Sequence, residues 1–554
     1  MRDVIRKKTR TYHRILEMFS SHWAWGTVLI IVLLTAAIRL RLIEVPLERD
    51  EGEYAYAGQL MLQGIPPYSE VYNMKMPGTY GAYALIMALF GETRTAIHFG
   101  LLLLNAATVI VLFSLGRRLY DDLTGVVAGA SFAILSLSQS VQGIFANAEH
   151  FVILPAVGGM LLLLRAIESD RPRLLFWSGL LLGLGFLMKQ HGAAFIAFAV
   201  VYLLYYELRQ RPVLWRRVGS RCTLLSIGAA GPFGLTCLVL LLAGVFQKFW
   251  FWTFVYAREY VTQVPLSMAL GRLKTRSAPI VESSMLLWIF AGIGLTALLW
   301  DRKARSRGMF VAALFIFSFL SVCPGFYFRS HYFILLLPAT ALLVGIGVMS
   351  FGRLFSQVDS LKAYSLTVQR GVPILLALIA LSSSVYEHRI FLFHLSPAEA
   401  SRRTYGLNPF PESLEIAKYV KEHTSKSDRI AVIGSEPQIY FYSDRRSATG
   451  YIYAFALMET QRYALRMQQE MIREIESAEP VLFILVEIGS SWGIRPGSER
   501  FIFEWFQEYR MRYLHQVGVV DILSADSTVY HWGDDSIGYS PHSEYRIRIF
   551  KRKV

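Results

Sequence analysis

Apolar residues run through the first 390 or so positions in long blocks broken by short polar stretches. A helix rises about 1.5 Å per residue and must cross about 30 Å of hydrocarbon, so about 20 apolar residues make a span. By that ruler the pattern predicts about eleven transmembrane helices, near 25–43, 95–116, 123–142, 149–166, 174–188, 191–208, 222–245, 281–300, 308–323, 332–350 and 371–387. The stretch 78–90 is apolar but extends only about 20 Å as a helix. It predicts a helix lying in, or dipping into, the outer interface. From about Leu395 the pattern becomes that of a soluble chain. Arg429–Gly434 and Val481–Glu487 read as buried strands, Glu412–Glu422 and Arg462–Ser477 as helices, and Glu544–Arg552 as a terminal edge strand. The expected fold class is a polytopic α-helical membrane protein with a C-terminal soluble α/β domain. Residues 1–394 form the multi-span domain, with a first loop at 44–94, and 395–554 form the α/β domain.

Composition agrees with this division. Hydrophobic residues are 54% of the 554, mean hydropathy is +0.39, and charged residues are only 18%, against about 25% in a soluble domain. The net charge of +15 comes largely from Lys and Arg in alternate short loops, which is the pattern that orients a membrane protein rather than one that binds nucleic acid. Arg117 and Arg118 open the series, followed by Arg165, Arg171 and Arg173. Arg209, Arg211, Arg216, Arg217 and Arg221 come next, then Arg302, Lys303, Arg305 and Arg307, and finally Arg353, Lys362 and Arg370. With the basic N-terminus (Arg2, Arg6, Lys7, Lys8, Arg10, Arg14) this predicts a cytoplasmic start and an extracytoplasmic C-terminal domain. Cys222, Cys237 and Cys323 have no metal or disulfide spacing.

Against that background the segment Glu48-Arg49-Asp50-Glu51-Gly52-Glu53 carries four carboxylates directly after the first span. It reads either as a solvated loop or as the source of a catalytic carboxylate. Basic and imidazole groups stand at the outer mouths of other spans: Lys75, Lys189, His191, Arg258, Arg329 and His331. They read either as side chains reaching the lipid headgroups or as a binding site. Loop 246–280 mixes aromatics (Phe249, Trp250, Phe251, Trp252, Phe254, Tyr256) with Lys248, Arg258, Arg272, Lys274 and Arg276, as suits a helix at headgroup level. Cations around a carboxylate can neutralise a phosphate leaving group while the carboxylate takes the proton of an attacking hydroxyl. The residues alone therefore suggest a membrane transferase acting on a lipid phosphate.

Several of these stretches resemble the GT-C membrane glycosyltransferases, in particular the protein O-mannosyltransferases and the lipid A aminoarabinose transferases. Asp50-Glu51-Gly52-Glu53-Tyr54-Ala55 resembles their acidic signature, and Asn73-Met74-Lys75-Met76-Pro77-Gly78-Thr79-Tyr80 their Lys-Pro-Pro element, here relaxed to Lys-Met-Pro. Glu149-His150, Lys189-Gln190-His191-Gly192 and Arg329-Ser330-His331-Tyr332-Phe333 follow in the family's order. The resemblance implies a GT-C-like fold and an inverting transfer of a sugar from a polyprenyl-phosphate donor to an envelope lipid, glycan or protein. Asp50 would be the base or would align the acceptor hydroxyl, with Glu51 beside it and Glu149 as a further supporting carboxylate. Lys75, Lys189, Arg258 and Arg329 would hold the donor phosphate, with His191, His331 and Tyr332 at the same site. A divalent metal bridging carboxylate and phosphate is possible, although no dedicated ligand set is present. Rival readings are a polymerase or ligase of lipid-linked saccharides, a transporter or flippase of anionic lipids, and a non-catalytic receptor.

Overall fold

The computed structural model describes the backbone of residues 2–357 and 366–553 and the side chains of 22–354 and 371–553. The basic side chains before His22, and those of Lys362 and Arg370, lie outside the described residues. A long first helix, α1 (Arg2–Arg41), leads into α2 (Arg49–Leu62) and α3 (Pro77–Phe90). Among the described residues six helices are long and apolar enough to cross a membrane: His22–Arg41, Arg94–Leu119, Ala148–Glu168, Gln190–Leu208, Trp215–Leu242 and Leu337–Leu354. A seventh crossing arises if Leu266–Glu282 and Met285–Trp300, bent by 107° to each other, count as one. The remaining expected spans are helices of 10–17 residues: Asp122–Leu135, Arg173–Met188, Gly308–Val322 and Gly371–Glu387.

Small residues bring these helices together. A Cβ on Gly179 would lie 2.1 Å from the Leu225 carbonyl oxygen, so Arg173–Met188 and Trp215–Leu242 touch backbone to backbone, as small residues allow in lipid. The basic loops converge on one face. Arg118 and Arg307 both pair with Glu168 at 2.8 and 2.7 Å, Lys303 with Asp121 at 2.6 Å, and Arg353 with Asp301 at 3.3 Å. Loop 44–94 stands at the other end. Arg94, which reaches Glu44 at 3.8 Å, begins the same 26-residue helix that ends beside Arg117 and Arg118, a length of about 39 Å.

The C-terminal region forms a six-stranded mixed sheet of β1 (Arg429–Ile433), β2 (Arg446–Ser447), β3 (Leu482–Glu487), β4 (Leu514–Ile522), β5 (Thr528–Trp532) and β6 (Arg546–Arg552). Their spatial order is β2-β1-β3-β6-β4-β5, with β1 parallel to β2 and β3 and the other pairings antiparallel. The last strand is therefore internal, not at an edge. Its alternation of Arg with Ile reports on the two faces of the sheet and says nothing about its edges; Arg546 and Arg548 both reach Glu487 on β3.

The sheet and the first loop share one hydrophobic core. Tyr54, Tyr56 and Tyr80 of α2 and α3 belong to the same buried cluster as Ile430, Val432 and Phe483. Backbone and side-chain bonds reinforce it: the Tyr72 N–H donates to the Gly450 carbonyl, and the Ser447 N–H to the Tyr56 hydroxyl, both at 2.8 Å. Gly52 of α2 sits against the backbone of Gln438, where a Cβ would come within 2.6 Å of the Gln438 nitrogen.

Candidate active site

The acidic segment is a helix start, not a solvated loop. Glu48 and Glu51 form a reciprocal capping box at the N-terminus of α2, each accepting the other's backbone N–H, which satisfies donors that a helix start leaves open. Glu48, Glu51 and Glu53 are buried and Asp50 is half-buried. Glu51 is fully engaged away from the site, with His98 Nε2 at 3.0 Å and the Ala146 N–H at 2.5 Å on its Oε1. Arg49 points the other way and fastens the helix to the C-terminal region, through Glu436 at 2.8 Å and the Ser435 carbonyl at 2.6 Å.

Asp50 alone of the four carboxylates faces a cavity of about 190 Å³. Lys75 Nζ lies 2.9 Å from its Oδ2, and the Tyr453 hydroxyl donates to its Oδ1 at 3.0 Å. Burial alone would raise the Asp50 carboxyl, but the Lys75 ammonium, with the Arg329 guanidinium beyond it, holds it below the usual carboxylate range. Burial likewise opposes the charge on Lys75, and Asp50 and Glu53 overcome it, so the ammonium is held above its ordinary value. Behind this pair Glu53 accepts from Asn73 Nδ2 at 2.7 Å and from the Tyr80 hydroxyl at 2.5 Å. Burial pushes its carboxyl up to about 7 despite Lys75. The turn carrying Lys75 is thus pinned from below, and the Tyr68 hydroxyl donates to the Lys75 carbonyl at 2.6 Å.

The far wall comes from the later spans. Lys189, in the extended residue between Arg173–Met188 and the next helical turn, pairs with the buried Glu149. Its ammonium stands 4.2 Å over the Tyr332 ring. Burial, with Lys75 nearby, lowers the Lys189 ammonium even against the pull of Glu149. His191 and His331 both meet Tyr332 edge to face, at 4.8 and 5.0 Å between centroids. His331 also contacts Gln142 at 2.9 Å, and burial together with Lys189 pushes its ring well below the usual imidazole range. Arg329 is half-buried, donates to the Tyr260 hydroxyl at 3.3 Å and lies 5.6 Å from the Tyr327 ring. Among the described residues it forms no ion pair. The cavity thus holds a guanidinium that acts on Asp50 from beyond ion-pair distance.

Asp50, Lys75, Lys189, His191, Arg329, His331 and Tyr332 all line this cavity. Glu51 and Glu149 do not; each serves a neighbour instead. Arg258 is exposed and is not part of the lining, because its helical turn directs Ala257 and Tyr256 inward in its place. The sequence reading did not single out Tyr54, Tyr260, Tyr453 or Glu459, all of which line the cavity. Tyr453 and Glu459 are carried by the C-terminal region, more than 400 residues from Asp50 in the chain, and only the local run of aromatics at Tyr451–Phe455 hints at them. Among the described residues no group of three or more His, Cys, Asp or Glu side chains could hold a metal ion.

Known proteins resemble this chain in sequence and in fold. Residues 77–233 match the dolichyl-phosphate-mannose-protein mannosyltransferase family. Over 226 residues the chain is 30% identical to the undecaprenyl phosphate-alpha-4-amino-4-deoxy-L-arabinose arabinosyl transferase of Pseudomonas aeruginosa. That match takes in 38% of this chain and only 39% of the length of the relative. The crystal structure of ArnT from Cupriavidus metallidurans bound to undecaprenyl phosphate is similar with a TM-score of 0.55 at 15% identity, covering 84% of this chain and 93% of that one. The oligosaccharyltransferase of Archaeoglobus fulgidus is similar with a TM-score of 0.55 at 12% identity, over 95% of this chain and 76% of that one. The chain has the GT-C fold that these membrane glycosyltransferases share.

Proposed function

We propose that this protein is an inverting glycosyltransferase that moves a sugar from a polyprenyl-phosphate donor to a hydroxyl of an envelope acceptor at the outer face of the membrane. The observation that carries the reading is Arg329, without a direct ion pair among the described residues, set with Lys75 and Lys189 around a cavity whose half-buried carboxylate is Asp50. The names of the relatives support the donor class: the matched Pseudomonas enzyme is an arabinosyl transferase of an undecaprenyl phosphate sugar, and the Cupriavidus structure holds undecaprenyl phosphate.

In this reading the donor phosphate sits on Arg329, with Lys75 and Lys189 as the other cations. The acceptor hydroxyl lies against Asp50, which is ionised at neutral pH and accepts its hydrogen bond. As the bond from the anomeric carbon to the phosphate oxygen breaks, that oxygen keeps the electron pair. The hydroxyl oxygen bonds the opposite face of the carbon, inverting it, and its proton passes to Asp50. Because Asp50 is a weak base, the proton moves late, once the attacking oxygen has become acidic by bonding to carbon. The leaving phosphate gains one negative charge, which the three cations stabilise. No acid is needed to protonate it.

The test is a reconstituted transfer assay. Purified chain in lipid, given polyprenyl-phosphate sugars and an envelope extract, should release free polyprenyl phosphate in step with a sugar-modified envelope molecule detected by mass spectrometry. Failure of every such donor, with the donor lipid nevertheless bound, would overturn the reading.

A further inference from the structure

A second cavity, about 240 Å³, lies on the other side of Tyr72 from the first. It joins the aromatic-basic loop, whose composition the mechanism above does not use, to the C-terminal region. One wall is aromatic. Tyr72 stacks on Trp252 at 6.0 Å and 16°, Tyr451 meets both rings, and Phe251 packs against Tyr463. The polar lining is Gln247, Lys248, Arg466 and Glu470. Glu470 is fixed by the Tyr451 hydroxyl at 3.1 Å, and Lys248 by the Tyr72 hydroxyl at 2.6 Å.

We infer that this second cavity is a binding subsite for an acidic saccharide, the glycan portion of the acceptor, with Lys248 and Arg466 facing its anionic group. Three features point to that chemistry. Aromatic side chains present flat apolar surface at low entropic cost, and the C–H faces of a sugar ring match it. Gln247 and Glu470 offer an amide and a carboxylate of the kind that orient a ligand's hydroxyls in a mostly aromatic pocket. Lys248 and Arg466 are both exposed and, among the described residues, form no ion pair. The lining carries these two cations against one carboxylate, Glu470, while Glu474 stands outside it behind the Tyr72 hydroxyl and is held by Thr449 and the Gly450 N–H; that balance in the lining favours an anionic group on the ligand.

The position fits as well. Tyr72 lines both cavities, and Trp252, 5.1 Å from Tyr256, continues the aromatic wall into the first one. A saccharide held here borders, across Tyr72, the cavity that Asp50 lines. The role as acceptor subsite rests on the transferase reading; the binding of an acidic sugar does not.

The experiment is direct binding to the full chain in neutral detergent, read by tryptophan fluorescence, with no donor present. The probes are a disaccharide of a hexuronic acid, the matching neutral disaccharide, inorganic phosphate, and phosphatidylglycerol micelles. The acidic disaccharide should bind at least about tenfold more tightly than the neutral one, a difference of about 1.4 kcal/mol. Arg466→Ala and Lys248→Ala should each weaken it by about tenfold. Equal binding of acidic and neutral sugars, or an unchanged affinity in both Arg466→Ala and Lys248→Ala, would overturn the inference. So would phosphate binding that is equally tight and equally weakened by Arg466→Ala or Lys248→Ala, or binding of the phosphatidylglycerol micelles only. If transfer is then measured, Arg466→Ala should raise KM for the acceptor without weakening donor binding. A chain with no transfer activity that still binds the acidic sugar would fail the proposed function and leave this site standing.

Discussion

Arg49 is where the structure makes its most quantitative demand. The residue directly before Asp50 extends into the C-terminal region, where its guanidinium donates to Glu436 at 2.8 Å, the Ser435 carbonyl at 2.6 Å and Asn408 at 3.1 Å. Its charge also lies 5.5 Å from the rings of Phe410 and Phe455. Glu436 is fully buried. Replacing Arg49 with Met keeps the aliphatic stem but leaves that carboxylate without a counter-charge, an event that typically costs 3–5 kcal/mol. Glu436 retains the Ser435 N–H at 3.0 Å and the Ser491 hydroxyl at 2.6 Å, which places the expected loss near the lower end, about 3 kcal/mol. The double variant Arg49→Met with Glu436→Gln removes both charges and should recover most of it, because two neutral partners bury at little cost. Denaturant unfolding in detergent measures both. A loss under about 1 kcal/mol in Arg49→Met, or a double variant no better than the single one, would refute the claim that this pair ties the helix of Asp50 to the C-terminal region.

Other perturbations test the neighbouring parts. Gly52→Ala should destabilise by about 1–3 kcal/mol through overpacking against the Gln438 backbone. That outweighs the gain of up to about 1 kcal/mol in helix propensity, so a raised melting temperature would contradict the packing. Glu53 has a folded value of about 7 against an ordinary 4.5, so its contribution is fully present below pH 4.5 and is lost as pH rises through 7. The stability difference between wild type and Glu53→Gln should therefore shift against wild type by about 2–3 kcal/mol between pH 5 and 8; a difference that does not change with pH would exclude a raised Glu53 carboxyl. Lys75→Met should weaken binding of the donor lipid by about tenfold. It should also move the acid limb of the transfer rate to higher pH, since the ammonium is what holds Asp50 below the usual carboxylate range; a limb that stays in place would separate Lys75 from Asp50.

Much of this was legible in the sequence, for reasons tied to local pattern. Hydropathy blocks mark helices because each helix meets lipid along its own length. Asp50 and Lys75 stood out because charge at a span end is unusual. Reading the charged segment in isolation could not show that Glu51 and Glu53 are buried, since the capping box and the Asn73 and Tyr80 donors that satisfy them become evident only once the helix start is placed. The C-terminal contribution was hidden for a different reason. Tyr453 reaches Asp50 across 403 residues, and Arg49 reaches Glu436 across 387, and nothing in the hydropathy of either segment records its partner. The internal place of β6 was missed because strand alternation distinguishes faces and is blind to edges. Arg258 was expected in the site from its place in the aromatic-basic loop and from the family resemblance; in the structure it is exposed and outside the cavity lining.

The central claim is that Asp50 takes the proton of the acceptor hydroxyl, and Asp50→Asn tests it most directly. The amide keeps the size and the bond from Tyr453 but cannot accept the proton. Transfer and donor binding should be measured on the same purified protein in the same lipid. The account predicts a fall in transfer of at least about a hundredfold with binding of the polyprenyl-phosphate donor not weakened. Transfer at the wild-type rate in Asp50→Asn would contradict it.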